Sequence, residues 1–78
     1  MFKLKLEMNG EVYKSSADSI SEAIGKLDYP PSAKSGMLNI KKGGKEYTTT
    51  IYPFKLRKLA ANIISRQIFE KKLKFHFQ

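Results

Sequence analysis

The sequence begins MFKLKLEM-NG-EVYKS, residues 1–15, and this segment carries a clear β-hairpin pattern. Apolar and polar side chains alternate strictly from Phe2 to Met8, which predicts a strand with one buried face and one solvated face. Asn9-Gly10 follows, and this dipeptide between two extended runs favours a β-hairpin because a type I′ turn needs positive φ at both positions. A two-residue turn fixes the register, so we expect Leu6 to lie opposite Tyr13, on the apolar face.

A short helix is predicted after this hairpin. Ser19-Ile-Ser-Glu22 is a capping box, in which the serine hydroxyl accepts a hydrogen bond from a backbone N–H of the first turn. Apolar residues then recur at the spacing of an amphipathic helix, at Ile20, Ala23, Ile24 and Leu27. Tyr29-Pro30-Pro31 ends the helix because neither proline can donate a backbone hydrogen bond, and residues 29–36 are expected to form a loop.

A second hairpin is predicted around Gly43-Gly44, between residues 37–42 and residues 45–52. In that register Lys41 lies opposite Glu46, a favourable cross-strand pair. The apolar face of this hairpin carries Leu38, Ile40, Tyr47, Thr49 and Ile51.

The rest of the chain predicts one long helix that starts near Pro53. Its core stripe comprises Leu56, Leu59, Ala60, Ile63 and Ile64. Helical arithmetic places a second set on the far side: Lys55, Lys58, Asn62, Ser65, Arg66, Phe69 and Lys72. Phe69 in that position could stack on a base, fill a partner's pocket or pack on the C-terminal segment, and we favour packing. From about residue 70 the period changes to two, which favours a closing strand over residues 72–78; the alternative is a helix that continues to a frayed end.

These elements predict the α+β class and a single small domain, residues 1–78. The expected order is β-hairpin, helix, β-hairpin, helix and C-terminal strand, with one antiparallel sheet packed on two helices. Such a sheet buries both helical stripes on one face and leaves the other face in water.

Composition excludes several classes of function. The 78 residues include no cysteine and a single histidine, His76, so neither a thiol nucleophile nor a clustered metal site is expected. Clustered acid–base pairs and nucleophile motifs are also missing from the sequence. We therefore expect a non-enzymatic protein with no catalytic residues, cofactor, metal or small-molecule substrate. The apolar runs are too short to cross a bilayer and the N-terminus lacks a secretory signal, so we expect a cytoplasmic protein with no membrane partner.

The charge is concentrated in the second half of the chain. Residues 1–39 hold five lysines and five acids, whereas residues 40–78 hold ten bases and two acids, so the whole net charge of +8 lies there. Such asymmetry favours a polyanionic partner, DNA or RNA, single- or double-stranded. The alternative is that the charge serves solubility alone.

Two groups of residues are candidates for nucleic-acid binding. Glycines let a backbone approach a phosphate closely and lysines supply charge, which favours the tip of the second hairpin: Lys41, Lys42, Gly43, Gly44 and Lys45. The far side of the last helix is the second candidate, through Lys55, Lys58, Asn62, Arg66 and Lys72. Lysines far outnumber arginines, which predicts low sequence specificity because lysine lacks the bidentate fork that reads guanine.

A protein–protein interaction module is the other function that fits. Small size, free strand edges and an exposed Phe69 would suit an adaptor, an inhibitor or a structural subunit of a virion or ribonucleoprotein particle. Phosphate contacts weaken with salt and apolar contacts resist it, so salt dependence separates the two hypotheses.

Overall fold

The alternating run that opens the chain becomes a central strand. The computed structural model describes residues 1–30 and 34–78. Its elements are β1 (Phe2–Met8), β2 (Glu11–Ala17), α1 (Ile20–Lys26), β3 (Gly36–Lys42), β4 (Lys45–Ile51), α2 (Pro53–Ala61), α3 (Ile63–Leu73) and a C-terminal 3-10 turn (Lys74–Phe77). The α+β class and the order of hairpin, helix, hairpin and helix are confirmed.

The four strands form one antiparallel sheet in the order β2-β1-β3-β4. Both predicted hairpin registers are confirmed: Leu6 lies opposite Tyr13, and Lys41 lies opposite Glu46. Asn9 has a φ of 52°, and the three turn glycines have positive φ as well, as two tight primed turns require. The sequence did not predict how the two hairpins join, which is through pairing of β1 with β3.

One face of the sheet carries the core and the other faces solvent. Alternate residues of β1 and β3 are buried, and the helices cover them. The core comprises Phe2, Leu4, Leu6, Met8, Ala17, Ile20, Ala23, Ile24, Leu27, Leu38, Ile40, Ile51, Leu56, Leu59, Phe69 and Leu73. Thus the stripe predicted for α1 is buried in full.

Three polar contacts hold the helices and the loop in place. The Ser19 hydroxyl accepts from the Glu22 N–H at 3.1 Å, as the capping box predicts. The Glu70 carboxylate of α3 accepts from the Ser21 N–H at 3.1 Å and so ties α3 to α1. The Tyr29 hydroxyl donates to the Leu56 carbonyl at 2.6 Å, and burial raises the pKa of this tyrosine. The predicted loop 29–36 is shorter than expected because β3 begins at Gly36, and residues 31–33 lie outside the described residues.

The predicted single last helix is two helices, and the prediction was wrong at Asn62. This residue has extended dihedrals (φ −134°, ψ 113°), and its side-chain oxygen accepts from the N–H groups of Ile64 (2.9 Å) and Ser65 (3.3 Å). An asparagine that caps a new helix interrupts the old one. The helical arithmetic was carried across this break, so it assigned the wrong face to Ile63, Ile64 and Phe69.

The break at Asn62 changes which side chains of α3 are buried and which are exposed. Phe69 was predicted on the far side but is only 8% exposed and belongs to the core. Ile63 and Ile64 were predicted in the core but are exposed, Ile64 at 61%. Ala60, in the last turn of α2 before the break, was also predicted in the core and is exposed. Leu56 and Leu59 lie before the break, and their predicted burial is confirmed.

Arg66 stabilises the break. Its Nη1 donates to the carbonyl oxygens of Leu59 (2.9 Å) and Ala60 (3.2 Å), which lie in the last turn of α2 and lack helical partners. The guanidinium also lies close to α1, because a Cβ added to Gly25 would be 3.7 Å from Arg66 Cζ. Arg66 therefore bonds to α2 and lies beside α1.

The predicted strand over residues 72–78 is wrong. Helix α3 continues to Leu73, and the 3-10 turn follows. A strand here could not pair with β1, because β1 is already paired on both edges, by β2 and by β3. The turn packs instead on the end of the sheet, where the Phe77 ring meets Phe2 edge-on at 5.5 Å and His76 Nε2 lies 2.7 Å from the Glu46 carbonyl.

We predict that Asn62→Ala lowers the free energy of unfolding by about 1 kcal/mol, because two N–H groups of α3 lose their acceptor. Asn62→Asp keeps an acceptor oxygen and should leave the stability nearly unchanged. Urea denaturation followed by circular dichroism measures both variants. Equal stability of the alanine and aspartate variants would contradict the capping role.

We predict opposite effects for two glycine substitutions. A Cβ at Gly36 would lie 2.8 Å from Leu6 Cδ1 and 2.9 Å from Met8 Cγ, so Gly36→Ala should cost about 1–3 kcal/mol through overpacking of the core. A Cβ at Gly25 has ordinary contacts, so Gly25→Ala should add up to about 1 kcal/mol from helix propensity. Thermal denaturation measures both, and stabilisation by Gly36→Ala would contradict the packing described for β3.

Candidate nucleic-acid interface

The tip of the second hairpin is a glycine turn surrounded by lysines. Gly43 and Gly44 have φ values of 55° and 81°, a region that side-chain-bearing residues rarely adopt. A Cβ built on either glycine meets no atom of the described residues within 4 Å, so the backbone here is open to solvent. The turn and its lysines line a cleft of about 360 Å³ together with Met1, Lys3 and Glu46.

Strand register places lysines directly opposite one another at this end. Lys3 pairs with Lys41, and Lys42 pairs with Lys45. Like charges in directly opposed positions destabilise a sheet, so these lysines oppose the stability of the strands that carry them. A partner with negative charge would remove that repulsion.

Glu46 partly neutralises the tip. Its carboxylate accepts from the Asn39 amide at 2.8 Å and lies 3.4 Å from Lys41 Nζ. The Asn39 hydrogen bond, followed by the bond and charge of Lys41, holds the pKa of Glu46 below its usual range. Lys41 therefore has an ion-pair partner within the sheet, and it should contribute less to a ligand than Lys42 and Lys45.

A second groove lies between the tip and the C-terminal residues, with a volume of about 420 Å³. Its apolar floor includes Phe2, Ile20, Leu73 and Phe77, and its lysines are Lys42, Lys71 and Lys74. The Lys42 Nζ lies 4.5 Å from the centre of the Phe2 ring, in cation–π range. Glu70 also lines this groove, and its carboxylate accepts from the backbone of α1.

Three separate segments thus bring lysines to one end of the molecule. We call this set the basic end: Lys3, Lys41, Lys42, Lys45, Lys71 and Lys74. Sequence reasoning found the three tip lysines but left Lys3, Lys71 and Lys74 out of the site. The missing information was the pairing of β1 with β3, which brings Lys3 beside Lys41, and the C-terminal turn, which brings Lys74 to the tip.

The opposite end of the sheet is acidic. The first hairpin turns at Asn9-Gly10, flanked by Glu7 and Glu11. Antiparallel pairing puts this turn beside the start of β3, since Glu7 lies opposite Met37, and the basic tip lies beyond the other end of β1. The charge is therefore asymmetric along the strands, negative at the first hairpin turn and positive at the second. This asymmetry would orient the protein on a polyanion.

The helix residues predicted for the same site lie elsewhere. Lys55 and Lys58 line a third groove, whose lining residues all differ from those of the two grooves at the tip. Asn62 caps α3 and Arg66 caps α2, so both have structural partners. Lys72 is exposed on α3. The structure therefore groups the tip with Lys71 and Lys74, and the expected single surface of tip and last helix is divided between separate grooves.

Comparisons with known proteins yielded no relative. No family model, curated protein or solved structure matches the chain. Among residues 1–30 and 34–78, no helix combines the length and apolar character needed to cross a membrane. Within the same described ranges, no group of three or more potential ligand side chains could hold a metal ion.

We predict that Asn39→Ala raises the pKa of Glu46 towards its ordinary value, because the main group that stabilises the carboxylate is lost. Lys41→Ala should shift this pKa in the same direction. An NMR titration of the Glu46 side-chain carboxyl carbon measures both variants. Since the folded-state pKa is lowered, the stability from these contacts is present above the unfolded pKa and is lost as the pH falls through the folded value. An unchanged pKa in the Asn39 variant would contradict the assignment.

Proposed function

We propose that this protein binds nucleic acid through its phosphates, at the basic end. The observation that carries the proposal is the convergence of six lysines from three segments around a solvent-open glycine turn. Lysine ammonium groups that neutralise phosphates release condensed counterions, and this release drives binding without regard to sequence. The low sequence specificity expected from a lysine-rich surface follows from the same chemistry.

The contacts assigned to phosphates differ in strength. Lys42 and Lys45 flank the turn, and Lys42 lines both grooves at this end, so it occupies the centre of the proposed surface. Lys3, Lys71 and Lys74 surround it. Lys41 has Glu46 as an ion-pair partner and contributes less. Lys55, Lys58 and Lys72 add to the positive field around the molecule without lining either groove.

The open face of the sheet supports phosphate contact better than base recognition. Its strand residues include Lys3, Lys5, Lys14 and Lys41. Sheets that read single-stranded RNA offer two or three aromatic rings for stacking. The tyrosines of β2 and β4, Tyr13 and Tyr47, pack instead against the core on the other face.

A protein-interaction role is the second candidate function, and one observation favours it. Large apolar side chains of α2 and α3 lie in solvent, among them Phe54 and Ile64. Exposed apolar patches mark interaction sites in soluble proteins. That surface is separate from the basic end, so the two roles are compatible.

We predict that the wild-type protein binds labelled nucleic acid with a log K that falls with log salt at a slope of about −3 to −5, as roughly four or five phosphate contacts on duplex DNA require. Fluorescence anisotropy with duplex DNA, single-stranded DNA and RNA, each at several salt concentrations, measures it. Lys42→Glu/Lys45→Glu should weaken binding and reduce the slope by about 2, since two contacts are lost.

The matched control is Lys26→Glu/Lys34→Glu. Both double variants lower the net charge from +8 to +4, but the control lysines lie outside the grooves of the tip. Equal weakening by the two variants would show that only net charge matters. Wild-type affinity in the tip variant, or no binding at low salt, would overturn the proposal.

A further inference from the structure

The second half of the molecule exposes an apolar surface that α2 and α3 share. Phe54 is 64% exposed on α2, and Ile64 and Ile68 follow at helical spacing on the outer face of α3. Phe69 and Leu73 face the core from the opposite side of α3. This helix is therefore apolar on two faces, and the fold buries only one of them.

A groove runs between the two helices on this surface. It has a volume of about 200 Å³ and is lined by Phe54, Lys55, Lys58, Ser65 and Ile68. Lys58 Nζ lies 4.8 Å from the centre of the Phe54 ring, and Lys55 Nζ lies 5.6 Å from the centre of the Phe69 ring. The groove therefore combines apolar walls with two ammonium groups at its rim.

The charge around this groove is mostly positive. Residues 47–78 contain seven bases and a single acid, Glu70. The Glu70 carboxylate accepts a hydrogen bond from Ser21 of α1, on the core side of α3. The two helices thus offer positive charge at the groove with little negative charge of their own, and a complementary ligand would be acidic.

We propose that this surface, the α2–α3 groove, docks an acidic amphipathic helix of another protein. Apolar side chains of that helix at i, i+4 and i+7 would pack between Phe54 and Ile68, and its carboxylates would meet Lys55 and Lys58. This is the helix-in-groove mode of recognition, in which apolar anchors supply affinity and flanking charges supply orientation.

Three other occupants fit the groove less well. Of the described residues that line the groove, only Phe54 is aromatic, and Lys58 Nζ already lies over its ring, so the groove offers little π-face for a nucleic-acid base. A second copy of this chain would bring a net charge of +8 against the same charge. A membrane surface is flat and fluid, whereas a groove between two helices suits an inserted side chain.

The test is a selection from a displayed library of 16-residue peptides on the wild-type protein, with soluble Phe54→Ser/Ile68→Ser protein as competitor. Both substituted side chains are largely exposed, so the variant should fold, and its circular dichroism and thermal denaturation check this. We expect enrichment of peptides with net negative charge and apolar residues at helical spacing. Their affinity should fall at least about tenfold on the Phe54→Ser/Ile68→Ser variant and about threefold on Lys55→Glu/Lys58→Glu, corresponding to the loss of apolar anchors and of rim charges respectively.

Two controls separate this inference from the nucleic-acid proposal and from a membrane. The Lys42→Glu/Lys45→Glu variant should bind the selected peptides like wild type, because the tip lies outside the α2–α3 groove. Vesicles of phosphatidylcholine with phosphatidylserine are tested by co-flotation with the same variants. The proposal would be overturned if no wild-type-specific peptides were enriched, or if the enriched peptides were basic or extended. It would also be overturned if vesicles bound, Phe54→Ser/Ile68→Ser abolished that binding, and no peptides were enriched.

Discussion

The pairing of β1 on both of its edges is the constraint on which the rest of the structure depends. Each hairpin is local and forms from its own turn, but the sheet exists because β3 pairs with β1. This pairing places the N-terminal end of β1 beside the tip of the second hairpin. It also leaves β1 with no free edge, and residues 74–77 fold as a 3-10 turn against the end of the sheet. The basic end is the result of both effects.

The second constraint is the break between α2 and α3. Asn62 ends one helix and begins the next, and Arg66 satisfies carbonyl groups that the break leaves open. Because α3 takes a new direction, Phe69 enters the core and the neighbouring isoleucines leave it. A single polar residue thus decides which apolar side chains stabilise the domain and which remain available to a partner.

The parts of the fold that sequence reasoning predicted are those set by short-range signals. The alternation of residues 2–8, the two glycine-containing turns and the Ser19 cap each act within a few residues, and all three predictions are confirmed. The prediction failed where a long-range choice overrode a local pattern. The alternation of Leu73, Phe75 and Phe77 is typical of a strand, but both edges of β1 are occupied and these residues end α3 and form the 3-10 turn.

The candidate site shows the same difference between residues grouped by local sequence and residues grouped by tertiary structure. The three lysines around Gly43-Gly44 are adjacent in sequence, so reasoning from the sequence could group them. Lys3 and Lys74 join them only through tertiary structure, and their local sequence gives no sign of it. Asn62 does carry a local signal, because asparagine is a favoured helix cap. The sequence analysis interpreted this residue as a nucleic-acid contact and did not predict its capping role.

A titration of the isotope-labelled protein with a short nucleic acid, followed by amide chemical shifts, tests the role of the basic end. We predict saturable shifts in two segments far apart in sequence, residues 41–45 and residues 71–77, with residues 54–68 much less affected. A response centred on residues 54–68, or on the tip without the C-terminal segment, would contradict the assembly of the basic end as the binding surface.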